Sequence, residues 1–429
     1  MIYILLILAF VIIYYILDIF IKTEGFVKVV FLFILFAFLY YLGLPIEMTL
    51  MGTSLGGYGF ISDRVLIIIT SMGVLSIAGF MLGFKISNYR FHDIKSFELV
   101  NSRFLFFSLL LLFVFSSVIL FVLFKDSLLS SISSYAGNVS ETYNNPIYAY
   151  LKEIFISSTA ILILMMTLKR GWYLLIAMLL SLTLIIFGII TSDKDPLLLS
   201  ALAWGIYFFK FLSNHNLHKV ITYLMLLIIL VVLIPALSLL FSLNRGGNIN
   251  VTEFKNQIET NGIYKYFDAT GPLVSLVETL EEPNVDFEYG KTYFWGFVGW
   301  IPKSVWTNRP LDLAEKYSKE KIKNWQPGQG LGYSLLTEAY INFGVAGALI
   351  QYCLIGLLIG LIGRLHQWLF REPIAPFIFF IWMSYNIAIM HRGPFNLPST
   401  YLRFVLPILF CYYSLYFSSI IWKKWKSIK

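Results

Sequence analysis

FLFFSLLLLFVFSSVILFVLF, residues 104–124, carries no charged side chain from end to end. A helix rises 1.5 Å per residue, so about 20 apolar residues cross about 30 Å of hydrocarbon. Runs of this kind recur along the chain and are read as helices over 2–21, 26–44, 64–84, 104–124, 149–168, 172–191, 197–212, 220–242, 334–363, 376–390 and 401–421. A transmembrane barrel would instead show segments of about 10 residues alternating in polarity. The pattern predicts an all-α polytopic membrane protein with about 11 transmembrane helices.

Composition agrees. Of 429 residues 58% are hydrophobic and 13% charged, with a mean hydropathy of +0.77. Soluble domains average about 45–50% apolar and about 25% charged residues, so this chain cannot clothe a globular surface. Its 32 basic and 24 acidic residues leave +8, an excess that in a polytopic chain reports orientation rather than nucleic-acid binding. Cys353 and Cys411 fall in apolar segments and read as buried thiols. The first helix has neither a basic start nor a small-residue cleavage site, so it is expected to be retained as a span.

The basic residues set the topology. Lys423, Lys424, Lys426 and Lys429 follow the last span, and such clusters favour the cytoplasm. Counting back, the inner connections hold sixteen basic residues and the short outer connections with their flanks six. The expected N-terminus is outside and the C-terminus inside. The chain then divides into 1–242 with eight helices, an outer-face segment 243–333 between helices 8 and 9, and 334–429 with three helices and a basic tail. Within the outer segment, "YFWGFVGWIPKSVW" is apolar but too broken by Gly and Pro to span. It is expected to lie in the interface or fold back over the bundle.

Chemistry is sought where cations stand on the outer side. Lys194 lies in "TSDKDP" (191–196), and Arg245 in "NRGG" (244–247). His391, Arg392 and Arg403 lie in "MHRGPFNLPSTYLR" (390–403), and Lys303 and Arg309 in "IPKSVWTNRP" (301–310). Guanidinium forks and ammonium groups gathered at one interface suit a phosphate or pyrophosphate. Any one outer arginine could equally snorkel or pair with an acid. Arg245 and Arg392 are each followed by glycine, which lets a bulky anion approach the backbone. Asp193 and Asp195 flank Lys194 and could neutralise it within a structural turn, and the Asp-Lys-Asp spacing also resembles metal-binding acids.

The second constellation is "GQGLGYSLLTEAYINFGVAGALI" (328–350). Ser334, Glu338 and Asn342 recur at four-residue spacing and form one polar stripe. Desolvation there raises a carboxyl pKa, so Glu338 either accepts a proton from a sugar hydroxyl or pairs with an outer arginine. His391 is the alternative base, or a hydrogen-bonded linker residue. Trp295, Trp300, Trp306 and Trp325 read mainly as interfacial belt residues, with one or two available to stack on a glycan.

The spans, the single large outer segment, the run "YGKTYFWGFVGWIPKSVWTNRP" and the following "GLGYSLLTEAYINFGVAG" resemble the Wzy-type O-antigen polymerases, which join oligosaccharide repeat units. The motif likeness covers residues 289–350. It implies a C-type, membrane-embedded glycosyltransferase in the bacterial inner membrane, inverting and metal-independent, with no cofactor. It further implies transfer of a growing glycan from undecaprenyl pyrophosphate to the terminal sugar of a lipid-linked repeat unit on the outer leaflet, with a chain-length regulator as a partner. Arg245 matches the arginine that opens the outer segment, and Lys194 stands where relatives carry arginine. Pro302, Lys303 and Pro310 match the family's run, and Glu338 and Gly344 its "EAY…FG" element. Related ligases carry a His-Asn pair where Tyr333 and Ser334 stand here, which favours polymerase over ligase. A ligase, or a flippase or other transporter, is the alternative reading.

Overall fold

The computed structural model describes residues 33, 36–43, 45, 61–87, 103–126, 145–169, 171–191, 193, 195–211, 270–301, 305–325, 330–370 and 374–428. Helices account for its regular structure, and no strand occurs among these residues. In chain order they are α1 Asp63–Ile86, α2 Arg103–Leu123, α3 Pro146–Lys169, α4 Tyr173–Thr191, α5 Asp195–Phe211, α6 Thr270–Glu281, α7 Tyr293–Val298, α8 Leu313–Lys321, α9 Leu335–Phe343, α10 Ala346–Leu369, α11 Ala375–Ile389 and α12 Leu397–Ile428. A π-helical stretch, Phe38–Leu42, precedes α1, and a 3-10 turn, Met390–Arg392, joins α11 to α12.

Six of these are long and apolar enough to cross a membrane: α1, α2, α3, α4, α10 and Leu397–Trp422 of α12. Helices α5 and α11 are apolar but shorter, at 17 and 15 residues. The predicted helices at 2–21 and 220–242, and most of 26–44, lie outside the described residues. Local chemistry sets the ends. Ser62 caps α1 by accepting the Val65 N–H, with Asp63 in its first turn and Lys85 in its last, signs that complement the helix dipole. Asp312 caps α8 in the same way, accepting from Glu315 N at 2.7 Å.

One expectation is corrected. The single helix predicted over 334–363 is two helices, α9 and α10, broken at Gly344. Gly344 has φ +60° and ψ −149°, a conformation open in practice only to glycine. Periodicity could not reveal the break, because polar and apolar residues keep a helical pattern on both sides of it.

The described residues fall into two compact units. The first is drawn from within Met1–Asp93, Ile234–Arg364 and Asn386–Ser399, the second from within Ile94–Leu233, Leu365–Tyr385 and Thr400–Lys429. In the first, α1 meets α10 backbone to backbone. A Cβ added to Gly79 or Gly83 would strike the main chain at Leu349 or Cys353, and one on Gly356 would strike Phe80. Small residues that let helices approach this closely drive packing in lipid, where apolar burial alone does not. In the second, α3 is the core element, its side chains buried continuously from Phe155 to Leu168 among α2, α4 and α5. Polar ties brace that unit: Lys152 pairs with Asp193 at 2.8 Å, Tyr385 donates to Asp195 at 2.6 Å, and Trp204 donates to Ser181 at 2.8 Å.

Candidate functional site

The site is built on α9, in the first unit and outside the six span-length helices. Ser334 starts the helix by accepting the Leu336 N–H at 3.1 Å, and its own N–H donates to Ser275 of α6 at 3.0 Å. Ser275 and Thr337 share a further hydrogen bond of 2.9 Å. Glu338 then falls in the first turn, 0% exposed. Asn342, one turn on, fastens the segment that bears Gly290 and Thr292 to the helix. Its amide nitrogen donates to Glu338 O at 2.8 Å and to Thr292 Oγ1 at 2.7 Å, and its oxygen accepts the Gly290 N–H at 2.6 Å. Tyr289 and Gly290 both have positive φ, 46° and 86°, so the start of the "YGKTYFWG" run is a tight turn wrapped on α9.

Glu338 Oε2 accepts two hydrogen bonds, from the Phe395 N–H at 2.6 Å and from Gln351 Nε2 at 3.0 Å. In a straight helix residues 338 and 351 would lie about 20 Å apart along the axis, so their contact requires the reversal at Gly344. Oε1 makes no hydrogen bond of satisfactory geometry among the described residues, and no cation there pairs with this carboxylate. The ion-pair alternative is therefore not met among the described residues. Burial pushes the Glu338 carboxyl up to about 7, against the pull of the Phe395 N–H, Thr292 and Gln351. The same burial, together with the nearby carboxylate, pushes the Tyr293 and Tyr333 hydroxyls well above the ordinary phenol value.

His391 sits in the turn that supplies Phe395. It is fully buried, boxed by the rings of Phe33, Tyr40, Tyr41 and Tyr352. Its Nδ1 lies 2.8 Å from Tyr41 Oη, which lies 2.5 Å from Tyr352 Oη. Burial drives its pKa down to about 3, so the imidazole is neutral. Arg392, half-buried, ends the same 3-10 turn. The turn is anchored again where Ser399 donates to Gly296 O of α7 at 2.6 Å.

The other predicted cations are placed differently. Arg309 folds back on its own stretch of chain, donating through Nη1 to Gly299 O at 2.7 Å and Ile301 O at 2.5 Å, with its guanidinium 5.9 Å from the Trp295 ring. Arg403 belongs to the second unit, where it meets Glu153 at 3.3 Å and lies over Tyr150. Lys194, Arg245 and Lys303 lie outside the described residues. The aspartates flanking Lys194 are engaged with Lys152 and Tyr385. Lys319 lies over Trp325 at 4.7 Å. The structure thus brings Glu338 and the His391 turn together. It also adds Gln351, Tyr41, Tyr352 and the Phe395 N–H, which the sequence reading did not single out. Gln351, a polar residue inside "ALIQYCLIG", was the one visible signal.

A family model described as O-antigen polysaccharide polymerase Wzy matches residues 1–424. The chain belongs to that family. No curated protein and no solved structure matches it. Membership and the six span-length helices together make it a multi-pass membrane protein and a glycosyltransferase of the O-antigen polymerase type, acting on lipid-linked oligosaccharide repeat units. The resemblance carried by residues 289–350 therefore extends over nearly the whole chain.

Proposed function

We propose that this polymerase transfers the growing glycan from undecaprenyl pyrophosphate to the terminal sugar of a lipid-linked repeat unit, with inversion and without a metal. The reaction is set at the outer leaflet of the bacterial inner membrane, with the N-terminus outside, the C-terminus cytoplasmic and residues 243–333 forming an outer-face subdomain. A hydroxyl oxygen of the acceptor sugar attacks the anomeric carbon of the donor. The bond from that carbon to the pyrophosphate oxygen breaks, undecaprenyl pyrophosphate departs, and Glu338 takes the hydroxyl proton. Arg245 and Arg392, with Lys303 as a further cation, meet the charge of the departing diphosphate. A chain-length regulator is the expected protein partner.

One observation carries this reading: Glu338 is a fully buried carboxyl, pushed up to about 7, held by the turn that bears Arg392 and paired with no cation among the described residues. A general base works best with a pKa near the operating pH, whereas a structural acid at such a site would be expected to have a counterion. The test is polymerisation of lipid-linked repeat units by the purified protein in lipid. A ladder of products that disappears with Glu338→Gln supports the assignment. Transport of the repeat unit without a change in its length would replace it with the transporter reading. In cells, loss of the polymerase leaves core bearing a single repeat unit, whereas loss of a ligase leaves bare core.

A further inference from the structure

The hydrogen bonds around His391 have a direction that can be worked out. Tyr352 is fully buried, and its hydroxyl has Tyr41 as its hydrogen-bond partner among the described residues. Tyr41 in turn meets His391 Nδ1, and the Ser334 hydroxyl also faces the Tyr41 oxygen. Ser334, whose oxygen already accepts the Leu336 N–H, donates its hydroxyl proton to Tyr41, which leaves two orientations. If Nδ1 carried the proton, it would donate to Tyr41 and Tyr41 to Tyr352. The Tyr352 proton would then have no acceptor, and the bare Nε2 no donor. If Tyr352 donates to Tyr41 and Tyr41 to Nδ1, each hydroxyl proton is used, and the Nε2–H alone lacks a partner among the described residues. Buried polar groups left unpaired are costly, so the second arrangement prevails. His391 then has no free lone pair: Nδ1 is occupied and Nε2 bears the proton.

His391 and Phe395 lie at opposite ends of one short turn. The first is pinned to Tyr41 and Tyr352, and the second donates its N–H to Glu338. We propose that His391 is a neutral positioning residue rather than a proton acceptor, acting through this turn to hold the Phe395 N–H against Glu338. The proposal rests on the reading of Glu338 as base and removes His391 as its rival. The titratable groups facing Glu338 are Tyr293, Tyr333, Tyr352 and, more weakly, Asp312; those facing His391 are Tyr40, Tyr41 and Tyr352.

The experiment is an infrared titration of the full chain in lipid nanodiscs. It follows the protonated carboxyl band that Glu338→Gln abolishes, beside the pH profile of polymerisation. In wild type the midpoint should lie at about 7. His391→Ala or Tyr41→Phe loosens the turn and should raise it by about one unit, because a hydrogen bond favouring the carboxylate is lost. His391→Asn offers an amide oxygen to the Tyr41 hydroxyl; it should restore the midpoint and keep turnover within about threefold of wild type. An unchanged midpoint in the first two variants overturns the proposal, as does His391→Asn losing turnover as fully as His391→Ala. If purified wild type made no polymer, the functional reading would fall, while the infrared midpoints would still decide whether His391 positions the turn.

Discussion

The Phe395 N–H and the Glu338 carboxylate meet at 2.6 Å although 57 positions separate them in the chain. The contact ties the first turn of α9 to the connection between α11 and α12. It holds the acid against the turn that bears Arg392. A charge-assisted bond from a backbone amide is stronger than a neutral one, yet it does not offset the loss of water around Glu338, and the carboxyl stays well above its ordinary range.

Replacing Glu338 by glutamine keeps the shape and one accepting oxygen for the Phe395 and Gln351 donors but removes the basic carboxylate. Turnover should fall by about 10²–10⁴-fold, the usual contribution of a positioned base, while affinity for the lipid-linked donor changes by less than about threefold. Initial rates and donor binding in nanodiscs measure the two. Equal loss of both would point to a structural acid.

With the working form of Glu338 ionised, kcat/KM should rise with pH through about 7 and then level. Stability runs the other way. Below the ordinary value of 4.5 folded and unfolded states are both protonated. Between there and about 7 the unfolded chain ionises first, so the folded state loses about 3 kcal/mol over that window. Glu338→Gln should therefore stabilise the protein at pH 8 and scarcely affect it at pH 4, as read by unfolding in mixed micelles.

Arg392→Ala should weaken binding of undecaprenyl pyrophosphate by about tenfold or more, and Arg392→Lys by less in binding than in turnover. Lysine keeps the charge but not the planar fork. Equilibrium binding of the sugar-free carrier checks the first, and polymerisation rates the second.

Away from the site, Lys152 and Asp193 form a mostly buried pair at 2.8 Å, with side chains 11% and 23% exposed. Lys152→Met leaves Asp193 without that charge partner and should cost about 3 kcal/mol or more. Adding Asp193→Asn should recover most of the loss, since asparagine retains the oxygen that accepts the Asp195 N–H. A double-mutant cycle in thermal unfolding reads the coupling.

Much of the architecture was legible because hydrocarbon leaves little choice: long apolar runs became helices, as α1, α2, α3, α4 and α12 show against the limits read from sequence. Glu338 was legible for the same reason, as an acid where acids are expensive. The environment of Glu338 was not. Gln351, Phe395, Tyr41 and Tyr352 reach the site by long-range packing, and no spacing rule links position 41 to 391. The cations were read as gathered at one interface, but charge alone does not say what a guanidinium will bind. Arg309 closes its own loop and Arg403 meets Glu153.

The break at Gly344 ties the surroundings of the acid to tertiary folding. Because the chain doubles back there, Gln351 meets Glu338, and the carboxyl is shut away from water only once that reversal has packed. A nascent or misassembled molecule would present an ordinary acid to water. Proton affinity near neutrality is thus acquired together with the correct shape, and an incorrectly built copy would be inert rather than indiscriminate.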